Sequence, residues 1–187
     1  GMIGVDGARY QSLEFTGPGV AALSIYDRLT ISNMAIEAGA KNGIFPVDDV
    51  TRAYVQDRVD RPWEAVEADP DADYDETVVI NLSGLQPLAA CPHSPDNVKP
   101  VSELAGMKVD QVSIGSCTNS GFEDLMKAAN VLKGKTVAPN VSLTVSPGSR
   151  QVLTKLIENG ALATFVQAGA RILECTCGPC IGMGQSP

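Results

Sequence analysis

An alternation of apolar strands and amphipathic helices in the second half of the chain constrains its fold more than any other feature. The pattern predicts strands and helices in turn, with strands at 109–114, 140–145 and 170–174 and helices at 120–132, 149–159 and 161–168. Strands that are separated by helices pair in parallel, because each crossover returns the chain to the same end of the sheet. The sequence therefore predicts an α/β protein with a largely parallel sheet.

Four of the five cysteines lie in two short pieces, each of which follows a predicted strand. The pieces are Ile114-Gly-Ser-Cys-Thr-Asn-Ser120 and Cys175-Thr-Cys-Gly-Pro-Cys180. The loops at the carboxyl ends of parallel strands lie along one edge of the sheet, where such folds place functional residues. We therefore expect the fold to bring Cys117 beside Cys177 and Cys180.

Composition excludes several classes of function. The net charge of −8 disfavours nucleic acid and anionic membrane surfaces as partners. No apolar run has the length of a membrane span and no signal sequence is evident, so we predict a cytoplasmic location. An odd number of clustered cysteines is untypical of a secreted disulfide framework. His93 is the sole histidine, and its position in a proline-containing loop at 88–100 with Cys91 favours a structural or solvent-facing role.

The first part of the chain contains an apolar helix, predicted at 29–40 and expected to be mostly buried. Asn33 and Glu37 interrupt it and lie one turn apart on the same face. Because an unpaired buried carboxylate is costly, two interpretations are open: a hydrogen-bonded or exposed edge pair, or a polar pair aimed into a ligand cavity. A second amphipathic helix is predicted at 47–59, with Asp48 or Asp49 near its start.

An acidic stretch separates the two parts of the chain. Residues 64–76 contain seven acidic side chains and no basic one, which is typical of a solvated linker. The composition changes at Tyr74, so we predict one domain over residues 1–73, including this linker, and a second over residues 74–187. The second domain is expected to begin with a strand at 77–82.

The cysteine spacing is compatible with four kinds of chemistry. A Cys-x-x-Cys pair can be a redox centre, although the predicted third thiol of Cys117 fits that poorly. Zinc would take three or four thiolates, with Cys175 as the fourth ligand. An iron–sulfur cluster held by three cysteines would leave one iron open to substrate or water. Buried structural cysteines are the remaining interpretation.

The two cysteine pieces closely resemble the cluster-binding signatures of the aconitase family, which includes aconitate hydratases, isopropylmalate dehydratases and homoaconitases. The similarity rests on Ile114-Gly-Ser-Cys-Thr-Asn-Ser120 together with Cys177-Gly-Pro-Cys180-Ile-Gly. Two earlier segments are also similar to that family and occur in the same order along the chain. They are Glu14-Phe-Thr-Gly-Pro-Gly-Val20 and the segment from Leu29 to Gly39. The resemblance spans almost the whole chain.

This resemblance implies a fold, a cofactor and a reaction. The fold would be a three-layer α/β/α iron–sulfur domain preceded by part of a second similar domain. Cys117, Cys177 and Cys180 match the three ligands of a [4Fe-4S] cluster, whereas Cys175 matches none. Asn33 and Glu37 match a family active-site pair, in which Glu37 would move a proton at the substrate hydroxyl and Asn33 would fix geometry. The reaction would be dehydration and rehydration of a hydroxy-carboxylate.

The same resemblance implies that the chain is part of a longer enzyme. The family's histidine- and aspartate-bearing first domain is expected upstream, and substrate-binding arginines and a swivelling domain with a catalytic serine are expected downstream or on a second polypeptide. We therefore predict that the isolated chain is inactive and that its cluster is lost easily in air. The residues around Cys180 and those at 94–98 favour citrate and isocitrate over isopropylmalate or homoaconitate as substrates.

Overall fold

The computed structural model describes residues 1–183 and divides the chain into two compact units, Gly1–Ala105 and a second that begins at Gly106. Across residues 1–183, no helix has the length and apolar character needed to cross a membrane. The last cysteine piece lies within the described range, which ends three residues beyond Cys180.

The second unit is built on a parallel sheet of three strands, as the alternating pattern predicts. Its strands are β5 (Gln111–Gly115), β6 (Ser142–Ser146) and β7 (Arg171–Ile172). Their order is β5-β6-β7, and both pairings are parallel. The carboxyl ends of all three strands therefore meet at one edge, with β6 in the middle.

Three helices connect and cover these strands. They are α3 (Phe122–Leu132), α4 (Arg150–Glu158) and α5 (Ala161–Ala168), each within two residues of its predicted bounds. Helix α5 packs against α3 and α4. The buried core brings together the apolar face of each helix and the middle strand: Leu125, Ala129, Leu143, Val145, Leu156, Ala161, Phe165 and Ala170. A continuous apolar core of this kind fixes the sheet edge that carries the cysteines.

Helix α3 begins at Phe122, two residues after the start of the helix predicted at 120–132. Gly121 is the N-cap, and the Asp124 carboxylate accepts a hydrogen bond from its backbone N–H at 3.1 Å. The Ser120 hydroxyl instead donates to the Ser116 carbonyl oxygen. Ser120 is therefore used to hold the preceding loop rather than to cap the helix.

Helix α4 depends on a side-chain cap at Ser149. Its hydroxyl accepts a hydrogen bond from the Val152 N–H at 3.2 Å. Substituting Ser149 with alanine should lower the free energy of unfolding by about 1 kcal/mol, because an N–H of the first turn then lacks a partner. Urea unfolding followed by circular dichroism measures the loss, and Ser149→Asp, which keeps an acceptor, should lose much less. Equal losses in both variants would contradict a capping role.

The first unit contains two small sheets and two helices. Strands β1 (Ser12–Glu14) and β2 (Asn42–Ile44) pair in parallel, and β3 (Leu88–Ala90) and β4 (Val98–Pro100) pair antiparallel. The loop predicted at 88–100 is therefore flanked by a strand pair. Helix α1 (Ile25–Met34) continues as a 3-10 turn, Ala35–Ala38, and α2 (Asp49–Gln56) follows β2.

Two expectations for this unit are wrong. The apolar helix predicted at 29–40 is not mostly buried, since Leu29 and Met34 are 45% and 49% exposed and Ile36 is 65% exposed. Residues 77–81 do not form a strand but run as irregular chain into a 3-10 turn at Leu82–Gly84. Both segments are rich in apolar residues, which predicts burial. Several of their apolar side chains are nevertheless exposed to solvent among the described residues of this unit.

A partly buried ion pair joins α1 to the start of α2. The Arg28 guanidinium, 2% exposed, donates from Nη1 and Nη2 to the two Asp48 carboxylate oxygens at 2.7 and 2.8 Å. Asp48 is also the N-cap of α2 and accepts from the Thr51 N–H. Hydrogen bonding to Arg28 lowers the pKa of Asp48 to about 2. The pair therefore joins two elements that the sequence separates by 20 residues.

Candidate metal centre

The first cysteine loop leaves β5 through an unusual backbone turn. Gly115 and Ser116 have φ angles of +123° and +91°, and the Ser116 N–H donates to the Ser146 carbonyl oxygen at 3.1 Å. A Cβ atom added to Gly115 would lie 2.0 Å from that same oxygen. Only glycine therefore fits at this close approach of two strands. The turn leaves the Cys117 thiol exposed at the sheet edge.

The far end of this loop is tied to the segment that follows β6. The Gly148 N–H donates to the Ser120 carbonyl oxygen at 3.1 Å, while the Ser120 hydroxyl reaches back to Ser116. Because Ser120 is only 1% exposed, both contacts are shielded from water. Cys117 is thus carried on a loop whose two ends are fixed to the core.

The second cysteine loop follows β7 at the same edge. The Leu173 N–H continues the ladder to the Val145 carbonyl oxygen at 2.9 Å, and the chain then turns through residues 174–178. A 3-10 turn at Pro179–Ile181 follows, in which the N–H groups of Ile181 and Met183 both donate to the Gly178 carbonyl oxygen. The thiols of Cys177 and Cys180 are exposed.

The structure brings these three thiols together as the sequence predicts. The pKa of Cys177 is raised, first by the charge of Cys117 and by hydrogen bonding to it, and to a smaller extent by burial and by Cys180. Such coupling requires that both thiols lie close to Cys177. Cys175 is half-buried and is not among these causes. The cluster therefore contains three sulfur donors.

The donor set fits an iron–sulfur cluster. None of the cysteines within residues 1–183 is in a disulfide, so all three thiols are available as thiolate ligands. Within the same range, no group of three or more His, Cys, Asp or Glu side chains has the arrangement of a preformed metal site. Three accessible thiols on two loops, without a fourth, match a cluster that uses three protein ligands better than a closed tetrahedral zinc site.

A cavity of about 280 Å³ opens beside the thiols, at the carboxyl ends of β5 and β6. Its walls are formed by both cysteine loops and the middle strand: Ser113, Gly115, Ser116, Ser146, Pro179 and Cys180. Ser146 is 1% exposed, and its Oγ has no hydrogen-bond partner among the described residues. Sequence reasoning missed this serine, whose signal is its place at the carboxyl end of the middle strand, between the strands that the two cysteine loops follow.

The other candidate residues lie in the first unit. Asn33 is in the last turn of α1 and Glu37 is in the 3-10 turn that follows, and both side chains are exposed. His93 is also exposed and Cys91 is half-buried. The exposure of Asn33 and Glu37 leaves them available to a ligand, and their role in a catalytic cavity stays a prediction.

A parallel α/β unit that gathers three cysteine thiols at one sheet edge defines a class of candidate iron–sulfur proteins. The sequence model of the Aconitase family (aconitate hydratase) matches residues 1–108 and 99–187. These matches cover the whole chain, and the chain belongs to the aconitase family. Its predicted membership is confirmed.

Several relatives are about 50% identical to this chain over the aligned residues. The 3-isopropylmalate dehydratase large subunit of Moorella thermoacetica is 50% identical over 182 residues, and that of Desulfitobacterium hafniense is 51% identical over 182 residues. The 2,3-dimethylmalate dehydratase large subunit of Eubacterium barkeri is 52% identical over 183 residues. Each match covers 97% of this chain but only 43–44% of the relative, so the chain spans less than half the length of these proteins.

Proposed function

We propose that this chain is the cluster-binding part of an aconitase-family hydro-lyase, with Cys117, Cys177 and Cys180 as ligands of a [4Fe-4S] cluster. The observation that carries the proposal is the coupling of these three thiols at the edge of the parallel sheet. Cys175 is the first residue of the second cysteine piece, two residues before Cys177, but it is not among the causes of that coupling. It is therefore a neighbour of the cluster and not a ligand.

When bound, the cluster supplies a Lewis-acidic iron that weakens the bond to a substrate hydroxyl. We assign Glu37 to the transfer of a proton at that hydroxyl and Asn33 to hydrogen bonding that orients the ligand. Both side chains are exposed on consecutive helical turns, which is compatible with contact to a substrate. These assignments follow from the family resemblance of residues 29–39.

The architecture proposed for the complete enzyme is a three-layer α/β/α domain over residues 74–187, preceded by the end of a similar domain over residues 1–73. The support is the parallel β5-β6-β7 sheet with its crossover helices. The boundary between the two compact units of the chain lies between Ala105 and Gly106, and it is defined by the packing of the residues. Tyr74, at the proposed boundary, donates a hydrogen bond to Glu14 of β1.

We infer that the substrate is a hydroxy dicarboxylate of the alkyl-substituted malate class. The relatives at about 50% identity are named as 3-isopropylmalate and 2,3-dimethylmalate dehydratases, and both substrates are alkyl-substituted malates. This favours the isopropylmalate alternative over the citrate and isocitrate reaction of the tricarboxylic acid cycle. The preference drawn from residues 94–98 and from the text around Cys180 finds no support in these names.

The same names indicate the partner. Relatives described as large subunits imply an enzyme of two polypeptides, so we propose that a small subunit completes the active site. The net charge of −8 supports this, because a dianionic substrate needs cationic side chains, and the described residues that line the thiol cavity include none. The remaining part of the large subunit and the small subunit are expected to supply them.

Reconstitution of the full-length large subunit tests this function. We expect anaerobic treatment with iron and sulfide to give about four irons per chain and the visible absorption of a [4Fe-4S] cluster. With the small subunit added, the protein should dehydrate 3-isopropylmalate or 2,3-dimethylmalate faster than citrate, and residues 1–187 alone should be inactive. Stoichiometric zinc without iron, and no dehydratase activity, would instead indicate a non-catalytic metal-binding module.

A further inference from the structure

Ser146 lies between the two cysteine loops. It ends β6, the middle strand, while Cys117 follows β5 on one side and Cys177 and Cys180 follow β7 on the other. Its backbone carbonyl accepts the Ser116 N–H that shapes the first loop. A Cβ atom built on Gly178 of the second loop would lie 3.9 Å from the Ser146 Oγ. A side chain at position 178 would therefore contact this hydroxyl, which places Ser146 beside the loop that carries Cys177 and Cys180.

The Ser146 hydroxyl is buried without a hydrogen-bond partner in residues 1–183. Leaving a buried hydroxyl unpaired is destabilising, and native proteins rarely tolerate it without a reason. A partner that arrives with a ligand removes that cost. Ser146 lines the same cavity as Cys180, so the ligand that fills this cavity can provide the acceptor.

A second serine on the same wall shows that orphan hydroxyls are not a general property of this edge. The Ser113 hydroxyl accepts a hydrogen bond from the Thr144 hydroxyl at 3.1 Å. Ser120, also buried beside the first loop, donates to the Ser116 carbonyl oxygen. Among the buried serine side chains at this edge, that of Ser146 is the one without a hydrogen-bond partner in the described residues.

We propose that the Ser146 hydroxyl donates a hydrogen bond to a sulfur atom of the cluster held by Cys117, Cys177 and Cys180. This inference rests on the proposed function, because it requires that the cluster binds. The acceptor is either a cysteine Sγ or an inorganic sulfide, and both carry the negative charge that a hydroxyl donor stabilises. Ser146 touches the cofactor and not the substrate, so it is a residue that tunes the cluster.

The expected consequence is a higher reduction potential. Hydrogen bonds to the sulfur atoms stabilise the reduced state, which carries one more negative charge than the oxidised state. Removing the Ser146 donor should therefore make the cluster harder to reduce. A tenfold change in the one-electron equilibrium corresponds to about 59 mV, and a shift of that order is expected.

The experiment compares four variants of the full-length large subunit after anaerobic reconstitution. Ser146→Ala removes the hydroxyl, while Ser146→Thr and Ser146→Val have nearly the same shape and differ in whether the donor is kept. Ser142→Ala changes a serine at the other end of the same strand and serves as the matched control. Iron content is measured first, and the potential is then titrated with dithionite and followed by EPR of the reduced cluster.

The proposal predicts a negative shift for Ser146→Ala and Ser146→Val, and a potential near that of the wild type for Ser146→Thr and Ser142→Ala. Equal potentials in the threonine and valine variants would overturn it, even if alanine perturbs folding. A wild-type protein that binds no cluster would overturn the proposed function itself. A wild-type cluster with unshifted variants would leave that function standing and remove only the role of Ser146.

Discussion

Alanine at Cys117, Cys177 or Cys180 is expected to abolish retention of the cluster, the largest effect that any single substitution in this chain should have on function. Each variant removes one of three thiolate ligands, and no fourth cysteine is coupled to them. Iron content after anaerobic reconstitution and desalting should fall more than about tenfold, because even second-shell losses reach that size. Colorimetric iron and sulfide assays measure it directly.

The matched controls are the two remaining cysteines. Cys175 is two residues before Cys177, yet half-buried, and Cys91 belongs to the first unit. Alanine at either position should leave iron content within about twofold of the wild type, as expected for substitutions that touch no ligand. Loss of iron in Cys175→Ala alone, with retention in Cys117→Ala, would contradict the assignment of ligands.

The gathering of the thiols could be predicted because it depends on local signals. Alternating strands and helices imply parallel pairing, and the cysteines directly follow two of the strands. The bounds of α5 match their prediction because glycines with positive φ, Gly160 and Gly169, flank it at both ends. Hydrophobic periodicity and glycines at helix ends are properties of short sequence segments, so both can be recognised from the sequence alone.

The remaining features depend on contacts that no short window contains. The apolar composition of residues 29–40 and 77–82 predicts that these segments are buried. Burial depends on which other residues pack over a segment, and the described residues of the first unit leave many of these side chains exposed. The orphan hydroxyl of Ser146 is defined by the absence of a neighbour within residues 1–183. The Arg28–Asp48 pair joins residues 20 positions apart, in segments without a charge pattern that marks them.

Replacing Asp48 with alanine should lower the free energy of unfolding by about 3 kcal/mol, the largest stability effect expected here. The loss has two sources: the buried Arg28 guanidinium keeps its charge without a carboxylate, and α2 loses its N-cap. Asp48→Asn keeps a side-chain oxygen for the cap and for Arg28, so it should lose about half as much. Chemical unfolding of the first unit, monitored by the fluorescence of Trp63, measures both.

The neighbouring carboxylate provides the control for this pair. Asp49 is exposed and lies in the first turn of the same helix, so Asp49→Ala should cost less than about 1 kcal/mol. Arg28→Met in the Asp48→Ala background removes the unpaired charge and should recover part of the stability. Additive losses in this double variant would show that the two side chains do not interact.

The pH dependence of stability gives an independent test of the same ion pair. Because the folded-state pKa of Asp48 is about 2 and its ordinary value is 3.8, the pair stabilises the fold fully above about pH 4 and loses that contribution as the pH falls toward 2. The Asp48 side chain is 36% exposed, so solvent screening limits the contribution to about 1 to 2 kcal/mol. The difference in unfolding free energy between the wild type and Asp48→Asn should therefore shrink across this window. A difference that stays constant from pH 5 to pH 2.5 would show that the charge of Asp48 does not stabilise the fold, and that its carboxylate acts only as a cap.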